Sequence, residues 1–272
     1  MKSLSLFLFV VLAFVSTAFA AMNGPTGLAV DASGNLYVSN FGANTVQVYN
    51  PSRTLIRTIS NGVNQPFGVA AGPWGYVYVA NFGGGTVTSY DAKGNLVNTI
   101  TGLVNPLNLT VDGLSDVWVI DQSLTRLSVF DLGNASIYSQ SLAGSTTSAF
   151  LGVSEYGGLL SLLSSNSTDN VVSALTADLL HSGTSVGISG TVPGSPSSIV
   201  LDSKGSLWVT NANGQVYHST NLSTAFTKLL TLSYAPSGIA VDRTHNRVYF
   251  SHNIGNSVDV YTTTGKFVAT IN

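Results

Sequence analysis

Apolar and polar residues alternate along most of this chain in short runs, and turns rich in Gly, Ser, Asn and Asp separate the runs. A period of two predicts short β-strands. In runs such as those around Tyr37 and Trp118, however, apolar residues occupy both faces of the strand. A sheet buried on both faces needs a neighbour on each side, whereas a two-sheet sandwich would leave its outer faces polar. The pattern therefore predicts an all-β protein made of stacked sheets.

The same four-strand pattern recurs along the chain, and each clear copy opens on a proline. These prolines are Pro25, Pro66, Pro106, Pro196 and Pro236. Neighbouring copies start about 40 residues apart, except for a gap of 90 residues between Pro106 and Pro196, which a degenerate copy beginning at Ala149 fills. The prediction is a six-bladed β-propeller with four antiparallel strands per blade. The expected blades are approximately 24–64, 65–104, 105–145, 146–194, 195–234 and 235–272.

The phase of the repeat predicts how the ring closes. The first copy begins with an innermost strand at Pro25, and the last copy ends with an outermost strand at 266–272. A strand exchanged between the two ends of the chain is therefore unnecessary, and we expect the first and last blades to close by face packing alone. Asp31, Asp112 and Asp202 are assigned to the hairpin turns between first and second strands.

The first 20 residues are typical of a secretory signal. Lys2 precedes an apolar stretch from Leu4 to Val15, and the small residues Ala18-Phe19-Ala20 predict cleavage after Ala20. A membrane anchor is the alternative, but about 12 apolar residues are too few for a span of about 20. We expect a secreted, extracellular product with no membrane anchor after cleavage. It would consist of one propeller domain, 21–272, and be a monomer.

Composition excludes some functions. Charged residues make up only 8% of the chain, the formal net charge is −2, and no basic cluster offers phosphate contacts, so nucleic acid is not an expected partner. The chain has no cysteine. The core must therefore be large enough without disulfides.

The P-x-G-(I/L/V)-A-V-D opening, the LYV-(A/S)-N strand and the V-x-V-Y strand resemble those of NHL-repeat propellers and the related gluconolactonase and strictosidine-synthase superfamily. The resemblance covers nearly all of residues 21–272. It implies the propeller fold, but the family includes both enzymes and binding scaffolds. It also implies that ligands lie over the central axis, at the face where innermost strands begin and second strands end; this face is called the mouth below.

One ring of residues at the mouth stands at the ends of the second strands and is the predicted ligand-binding set. A ring of amides, one acid and one imidazole could bind a cation or a polar ligand. Alternatively, these side chains satisfy backbone groups of the neighbouring turns, and this interpretation is favoured. The fourth copy is ambiguous between Leu163 and Asn166. The ring comprises Asn40, Asn81, Asp121, Asn211 and His252.

A second ring follows the repeat prolines, where the resemblance implies the amide and carboxylate metal ligands of related hydrolases. Here it contains Thr26, Phe67, Leu107, Ser197 and Ser237, none of which is a strong ligand. Calcium prefers several carboxylates, and the mouth offers only Asp121. Zinc needs clustered nitrogen or sulfur donors. The other histidines occupy different positions of the repeat from His252, so they are not expected to join it in a zinc site. No cofactor is expected, and bound calcium is the alternative.

Candidates for acid–base chemistry are few. Asp121 and His252 form the one candidate catalytic pair, and because their blades lie across the axis only a bridging substrate could link them. Glu155, the single glutamate, is assigned to a solvated turn. Without cysteine there is no thiol nucleophile, and no G-x-S-x-G motif is present.

Two further features concern partners. Phe41, Phe67, Phe82 and Leu107 gather at the mouth of the first three copies, where they form an apolar ligand patch or plug the channel. Sequons at Asn134, Asn166 and Asn221 are the predicted glycosylation sites, whereas Asn108 lies on an innermost strand and is expected to be buried.

These observations favour a secreted, non-catalytic scaffold that binds a protein, peptide or glycan. The alternative is a secreted hydrolase or lyase that resembles gluconolactonases, strictosidine synthases or streptogramin lyases and uses the polar ring. A structural wall or matrix role is the third hypothesis.

Overall fold

The computed structural model describes residues 21–123, 126–131, 133–141, 149–156, 159–165, 171–176, 188–220 and 225–272. At residue 140 and in the segments between 149 and 191 it describes the backbone alone. Within these ranges no helix combines the length and the apolar character of a membrane span.

The chain forms four-stranded antiparallel sheets in which consecutive strands pair in order from the innermost outwards. Blade 1 contains β1 Pro25–Val30, β2 Leu36–Asn40, β3 Thr45–Tyr49 and β4 Leu55–Ile59. Blade 2 contains β5 Pro66–Ala71, a 3₁₀ turn at Pro73–Gly75, β6 Val77–Asn81, β7 Thr86–Tyr90 and β8 Leu96–Ile100. Blade 3 contains β9 Pro106–Val111, β10 Val117–Asp121, β11 Arg126–Phe130 and β12 Ser136–Ser141.

The second half of the chain continues in the same way; blades are numbered by their copy of the repeat, and the fourth copy is called the fourth sheet. The fourth sheet contains β13 Ala149–Tyr156, β14 Leu159–Ser165, β15 Val171–Thr176 and β16 Ile188–Thr191. Blade 5 contains β17 Pro196–Leu201, β18 Leu207–Asn211, β19 Gln215–Ser219 and β20 Thr227–Thr231. Blade 6 contains β21 Gly238–Asp242, β22 Arg247–His252, β23 Ser257–Tyr261 and β24 Phe267–Ile271.

The predicted count of six blades is corrected by the fourth sheet. In the other five sheets, the two inner strands have five or six residues and the first strand begins at or just after the repeat proline. The fourth sheet has inner strands of eight and seven residues, and no proline opens it. The structure thus shows five blades of the repeat type, not six, and a divergent sheet whose β13 lies between β9 and β17. Without the repeat's proline and turn residues, nothing local imposes the blade pattern on this segment.

The core consists of apolar layers between neighbouring blades. One layer joins Leu28 and Val38 of blade 1 to Val258 and Val260 of blade 6, and Val38, Val258 and Val260 have no exposed surface. Comparable layers lie between blades 1 and 2, between blades 2 and 3, and between blades 5 and 6. Burial on both faces explains why the second strands of blades 1, 2, 3 and 5 are apolar at every position before their last two residues.

Close approach of the innermost strands explains the glycine of the P-x-G motif. A Cβ atom at Gly27 would overlap the Phe67 carbonyl oxygen of β5, and a Cβ atom at Gly238 would overlap the Thr26 carbonyl oxygen of β1. Both obstacles are backbone atoms that cannot turn aside. Glycine is therefore required where the strands converge on the axis.

Ring closure needs no exchanged strand, because every sheet is built from consecutive strands. The expectation of face packing alone was wrong, however, since hydrogen bonds also join blades 6 and 1. The Gly24 N–H donates to Asn256 Oδ1 at 2.8 Å, and the Ser251 hydroxyl donates to the Thr26 carbonyl oxygen at 2.6 Å. Asn44 makes the equivalent bond from blade 1 to the Gln65 N–H of blade 2, at 2.6 Å. The junction that closes the ring therefore repeats the geometry of an internal one.

Candidate functional site

The predicted ring of polar residues lies at the mouth, at the carboxyl ends of the second strands. Asn40, Asn81, Asp121 and Asn211 each pair with the proline that opens the innermost strand of the same blade. All four side chains are completely buried, whereas His252, at the end of β22, is partly exposed. The structure therefore places the five residues at equivalent positions but presents only the imidazole to solvent.

Three of the buried ring residues bind the protein's own backbone. The Asp121 carboxylate accepts the N–H groups of Val104 at 2.7 Å and Asn105 at 3.2 Å. Asn81 Oδ1 accepts the Asn64 N–H at 3.0 Å. These donors lie in the loops that enter the innermost strands, so the ring residues hold the loops in place. This arrangement agrees with the interpretation that these residues satisfy backbone groups; a ligand-binding role stays a prediction.

Asn211 has the same role in blade 5. Its Oδ1 accepts the N–H groups of Asn213 and Gln215, and its Nδ2 donates to the Pro193 carbonyl oxygen at 2.6 Å. In blade 1, by contrast, neither amide atom of Asn40 has a hydrogen-bond partner among the described residues, although the side chain is buried. The ring is thus equivalent in position but not in bonding.

The candidate catalytic pair is divided between two separate environments. Asp121 is committed to Val104 and Asn105, as described above, while the His252 ring stacks on Tyr234, with centroids 3.7 Å apart and planes 2° apart. The Tyr234 hydroxyl donates to Asp259 Oδ2 at 2.9 Å, and burial, then this carboxylate, raises the Tyr234 pKa. His252 therefore stacks on a tyrosine whose hydroxyl stays protonated.

The apolar part of the mouth is a triangle of phenylalanine rings. The ring centroids of Phe41, Phe67 and Phe82 lie 6.3 to 6.4 Å apart, in edge-to-face and tilted arrangements. All three side chains are partly exposed, whereas Leu107 beside them is buried. Such pairs contribute about 0.5–1.5 kcal/mol each beyond the area that they bury. The aromatic cluster predicted from the sequence is present and reaches the surface; it will be called the Phe triangle.

The other half of the mouth is polar. Ser197 bonds to the Thr210 hydroxyl at 3.0 Å and to the Pro236 carbonyl oxygen at 3.4 Å, and Ser237 is partly exposed. Below the mouth, the innermost strands of the five blades surround an axial cavity of about 250 Å³. Within the described part of the chain, no three His, Cys, Asp or Glu side chains are grouped closely enough to hold a metal ion.

The remaining predicted residues have varied positions. Asn134 lies in the turn between β11 and β12, where its Nδ2 atom donates to Asn98 Oδ1 at 2.7 Å and to the Thr99 carbonyl oxygen at 3.3 Å. This nitrogen is the atom that would carry a glycan. Asn166 and Asn221 lie outside the described residues, and Glu155 and Leu163 are described by their backbone alone.

Sequence analysis missed a second role of the turn aspartates. Oδ1 of Asp31 accepts the turn N–H groups of Ser33 and Asn35, while Oδ2 accepts the hydroxyl of Tyr37 on the next strand at 3.1 Å. Asp112 and Asp202 hold the indole N–H groups of Trp118 and Trp208 in the same way. The signal was present in the sequence as an aspartate and an aromatic residue six positions apart.

Comparisons with known proteins agree with this architecture. Residues 22–49 match the family model of the NHL repeat. A search of curated proteins found no match. Among solved structures, hydrazine synthase of Kuenenia stuttgartiensis is similar, with a TM-score of 0.68 and 14% identity over 95% of this chain and 100% of that chain.

Two other similar structures have different roles. One is a gluconolactonase of Xanthomonas campestris, with a TM-score of 0.67 and 16% identity over 86% of this chain and 84% of that chain. Another belongs to a nidogen/laminin complex, with a TM-score of 0.67 and 14% identity over 79% of this chain and 84% of that chain. At these identities the likeness shows the fold alone. Together with the repeat match, it confirms the resemblance to NHL-type propellers.

Proposed function

We propose that this NHL-type β-propeller is a secreted, non-catalytic scaffold whose mouth binds an apolar side chain of a protein or peptide partner. The Phe triangle is the observation that carries the proposal. Three partly exposed aromatic rings converge on one half of the mouth, and hydroxyl groups such as that of Ser237 occupy the other half. Partly exposed aromatic residues next to polar groups are common in protein-binding sites, where aromatic side chains serve as anchors.

The bonding of the ring residues supports a binding role. Asn81, Asp121 and Asn211 use their polar atoms to hold loops of the mouth. A rigid rim keeps the Phe triangle in one arrangement before the partner arrives, which lowers the entropy lost on binding. The fold itself is compatible with this role, since the nidogen/laminin structure contains a similar chain.

Peptide selection tests the proposal. A random peptide library would be panned against the purified protein, and Kd values would be measured by fluorescence anisotropy. We expect the selected peptides to share an aromatic or aliphatic residue, and Phe41→Ala and Phe82→Ala each to weaken binding at least tenfold, a change of about 1.4 kcal/mol.

Phe267→Ala is the matched control, because Phe267 is a half-exposed phenylalanine on the outermost strand β24. Its affinity should equal that of the wild type. Peptides that bind the Phe41 and Phe82 variants as well as the wild type would refute the role of the Phe triangle.

Secretion has a separate test. Expression of the full chain in a secretory host should release a product that begins at Ala21. A product that retains Met1 and stays with the cells would contradict the proposed localisation.

A lactone or ester hydrolase, or a lyase, is the second candidate. It is favoured by the fold shared with a gluconolactonase and by the partly exposed imidazole of His252 at the mouth. Chromogenic lactones and aryl esters would be tested with the wild type and His252→Ala. Hydrolysis by the wild type that is lost in the variant would establish the enzyme and displace the scaffold proposal.

A further inference from the structure

A groove of about 290 Å³ lies between blades 2 and 3, near the ends of the blades opposite the mouth. Its volume is close to the lower end of the range for small-molecule sites, about 300–1,000 Å³. Its walls include Trp74, Tyr76, Tyr78, Val97, Ser115 and Asp131. At three positions around this groove the residues differ from those of other copies of the repeat, and at each a polar group has no hydrogen-bond partner among the described residues.

The first departure is at Gly72. In blades 1, 3 and 5 this position is an aspartate that binds the aromatic residue six positions later. Blade 2 has glycine here, so the hydroxyl of Tyr78 loses that partner, and it makes no hydrogen bond to the described residues. Tyr78 lines the groove. A phenol that can donate and accept therefore faces the groove.

The second departure is at Ser115. The equivalent turn positions in blades 1, 2 and 5 are Gly34, Gly75 and Gly205, all with positive φ. Ser115 has a φ of 72° and is 1% exposed, and its hydroxyl has no hydrogen-bond partner among the described residues. A buried hydroxyl without a partner destabilises the fold. Ser115 lines the groove, and its hydroxyl is buried in the groove wall.

The third departure concerns Asp131. In the corresponding turn of blade 2, Asp91 Oδ2 accepts the side-chain amide of Asn95 at 2.8 Å. Blade 3 has Ala135 in place of that asparagine. Asp131 Oδ1 still accepts the N–H groups of Gly133 and Ala135, but Oδ2 accepts none from the described residues. One carboxylate oxygen is therefore available to a donor in the groove.

The walls supply an aromatic platform. Trp74 is 77% exposed although it is the largest kind of side chain, and its φ of 56° is a left-handed conformation that tryptophan rarely adopts. Tyr76 and Val97 continue this apolar surface. The two other tryptophans of the chain, Trp118 and Trp208, are completely buried.

We infer that the groove binds a neutral sugar unit of a glycan. The Tyr78 hydroxyl and one carboxylate oxygen of Asp131 match the hydroxyl groups of a sugar, each of which both donates and accepts. The aromatic and aliphatic walls match the C–H face of a pyranose ring. A cationic side chain has donors only, so it could not accept the Tyr78 O–H, and an anionic sugar would meet the Asp131 carboxylate. This site is separate from the proposed peptide site at the mouth.

Trp74 provides the readout. An array of immobilised neutral oligosaccharides would first be probed with the purified protein. Soluble forms of the bound sugars would then be titrated while iodide quenching of tryptophan fluorescence is measured. Because Trp118 and Trp208 are buried, quenching reports on Trp74, and we expect bound sugar to protect it.

Variants locate the site. Trp74→Ala and Asp131→Asn should each weaken sugar binding on the array at least tenfold, and Asp131→Asn keeps the turn acceptor Oδ1. Lys204→Ala, at the turn position of blade 5 equivalent to Trp74, should bind like the wild type, and so should Phe267→Ala on the outermost strand β24. Thermal unfolding would verify that each variant is folded.

Three results would overturn the inference. The first is that no sugar from the array protects Trp74 at about 10 mM. A Kd above that concentration would be too weak for a specific site. The second is undiminished binding by Trp74→Ala and Asp131→Asn. The third is protection by a Lys- and Arg-rich peptide but by no sugar, which would identify the groove as a peptide site.

Discussion

The corner between blades 5 and 6 and the groove between blades 2 and 3 derive from the same positions of the repeat. In the corner, Asp202 is completely buried and its Oδ2 atom binds the Trp208 indole N–H at 2.7 Å and Arg243 Nε at 2.6 Å. Arg243 lies 5.1 Å above the Trp208 ring, and His218 packs on the same ring. Every charged group in this corner has a partner.

At the groove, the same positions of the repeat hold different residues. Gly72 stands where blade 5 has Asp202, and Ser115 stands where blade 5 has Gly205. Internal repeats thus provide a reference state within one molecule. Where the repeat's polar groups are satisfied, the position stabilises the fold; where several partners are missing around one groove, the position is a candidate for binding.

The largest expected effect is in the corner. Asp202→Ala would leave Arg243 largely buried without its counter-charge and should lower the free energy of unfolding by about 3–5 kcal/mol. Asp131→Ala removes only turn acceptors at the groove and should cost about 1 kcal/mol. Urea unfolding of both variants measures the difference. Equal losses would show that the corner is not the more strongly bonded region.

A substitution in the groove should stabilise the protein. Ser115→Gly removes a hydroxyl without a partner and relieves the positive φ of 72°, so the free energy of unfolding should rise by about 1–2 kcal/mol. The reverse change in blade 5, Gly205→Ser, is the control and should destabilise by about 1 kcal/mol, since its φ is 70°. A neutral or destabilising Ser115→Gly would show that the Ser115 hydroxyl has a hydrogen-bond partner in the folded protein.

A smaller gain is expected from restoring the repeat at Ala135. Ala135→Asn should let its amide bind Asp131 Oδ2, as Asn95 binds Asp91, and should stabilise by about 0.5 kcal/mol. Because the same oxygen is proposed to accept a sugar hydroxyl, sugar binding should weaken. Urea unfolding and the glycan array measure the two effects. Unchanged sugar binding in a stabilised variant would remove Asp131 from the proposed site.

The smallest effect concerns pH in the corner. Burial, and then the positive charge of Arg243, lowers the His218 pKa below its usual 6.5, against the attraction of Asp202. As the pH is lowered, His218 is therefore protonated at a higher pH in the unfolded chain than in the folded one. The free energy of unfolding falls as the pH drops below about 6.5. His218→Gln should lose less stability between about pH 7.5 and pH 5 than the wild type. Parallel losses in urea unfolding would contradict this.

Several features of the fold could be predicted from single residues. The repeat prolines mark where innermost strands begin. Proline has no N–H to donate to a neighbouring strand, and the first residue of a strand tolerates this loss. The alternating pattern predicted the strands, and the ends of the second strands predicted the ring of Asn81, Asp121 and Asn211. The count of blades failed at the fourth sheet, since that segment lacks the proline and the turn residues on which the count relied.

The candidate site was less predictable. The Phe triangle followed from the phase of the repeat, because all three residues occupy mouth positions. The groove did not follow, since Gly72 and Ala135 are informative only when compared with Asp202 and Asn95 in a known register.

The sequence by itself determined the strands, the turns and the repeat that stacks them, because these depend on residues close together in the chain. Only the tertiary structure decided which polar groups have partners. Arg243 reaches Asp202 from the next blade, and the Ser251 hydroxyl reaches Thr26 across the ring closure. Bonds of this kind join residues tens to hundreds of positions apart, so no local pattern encodes them, and the difference between a closed corner and an open groove lies in those contacts.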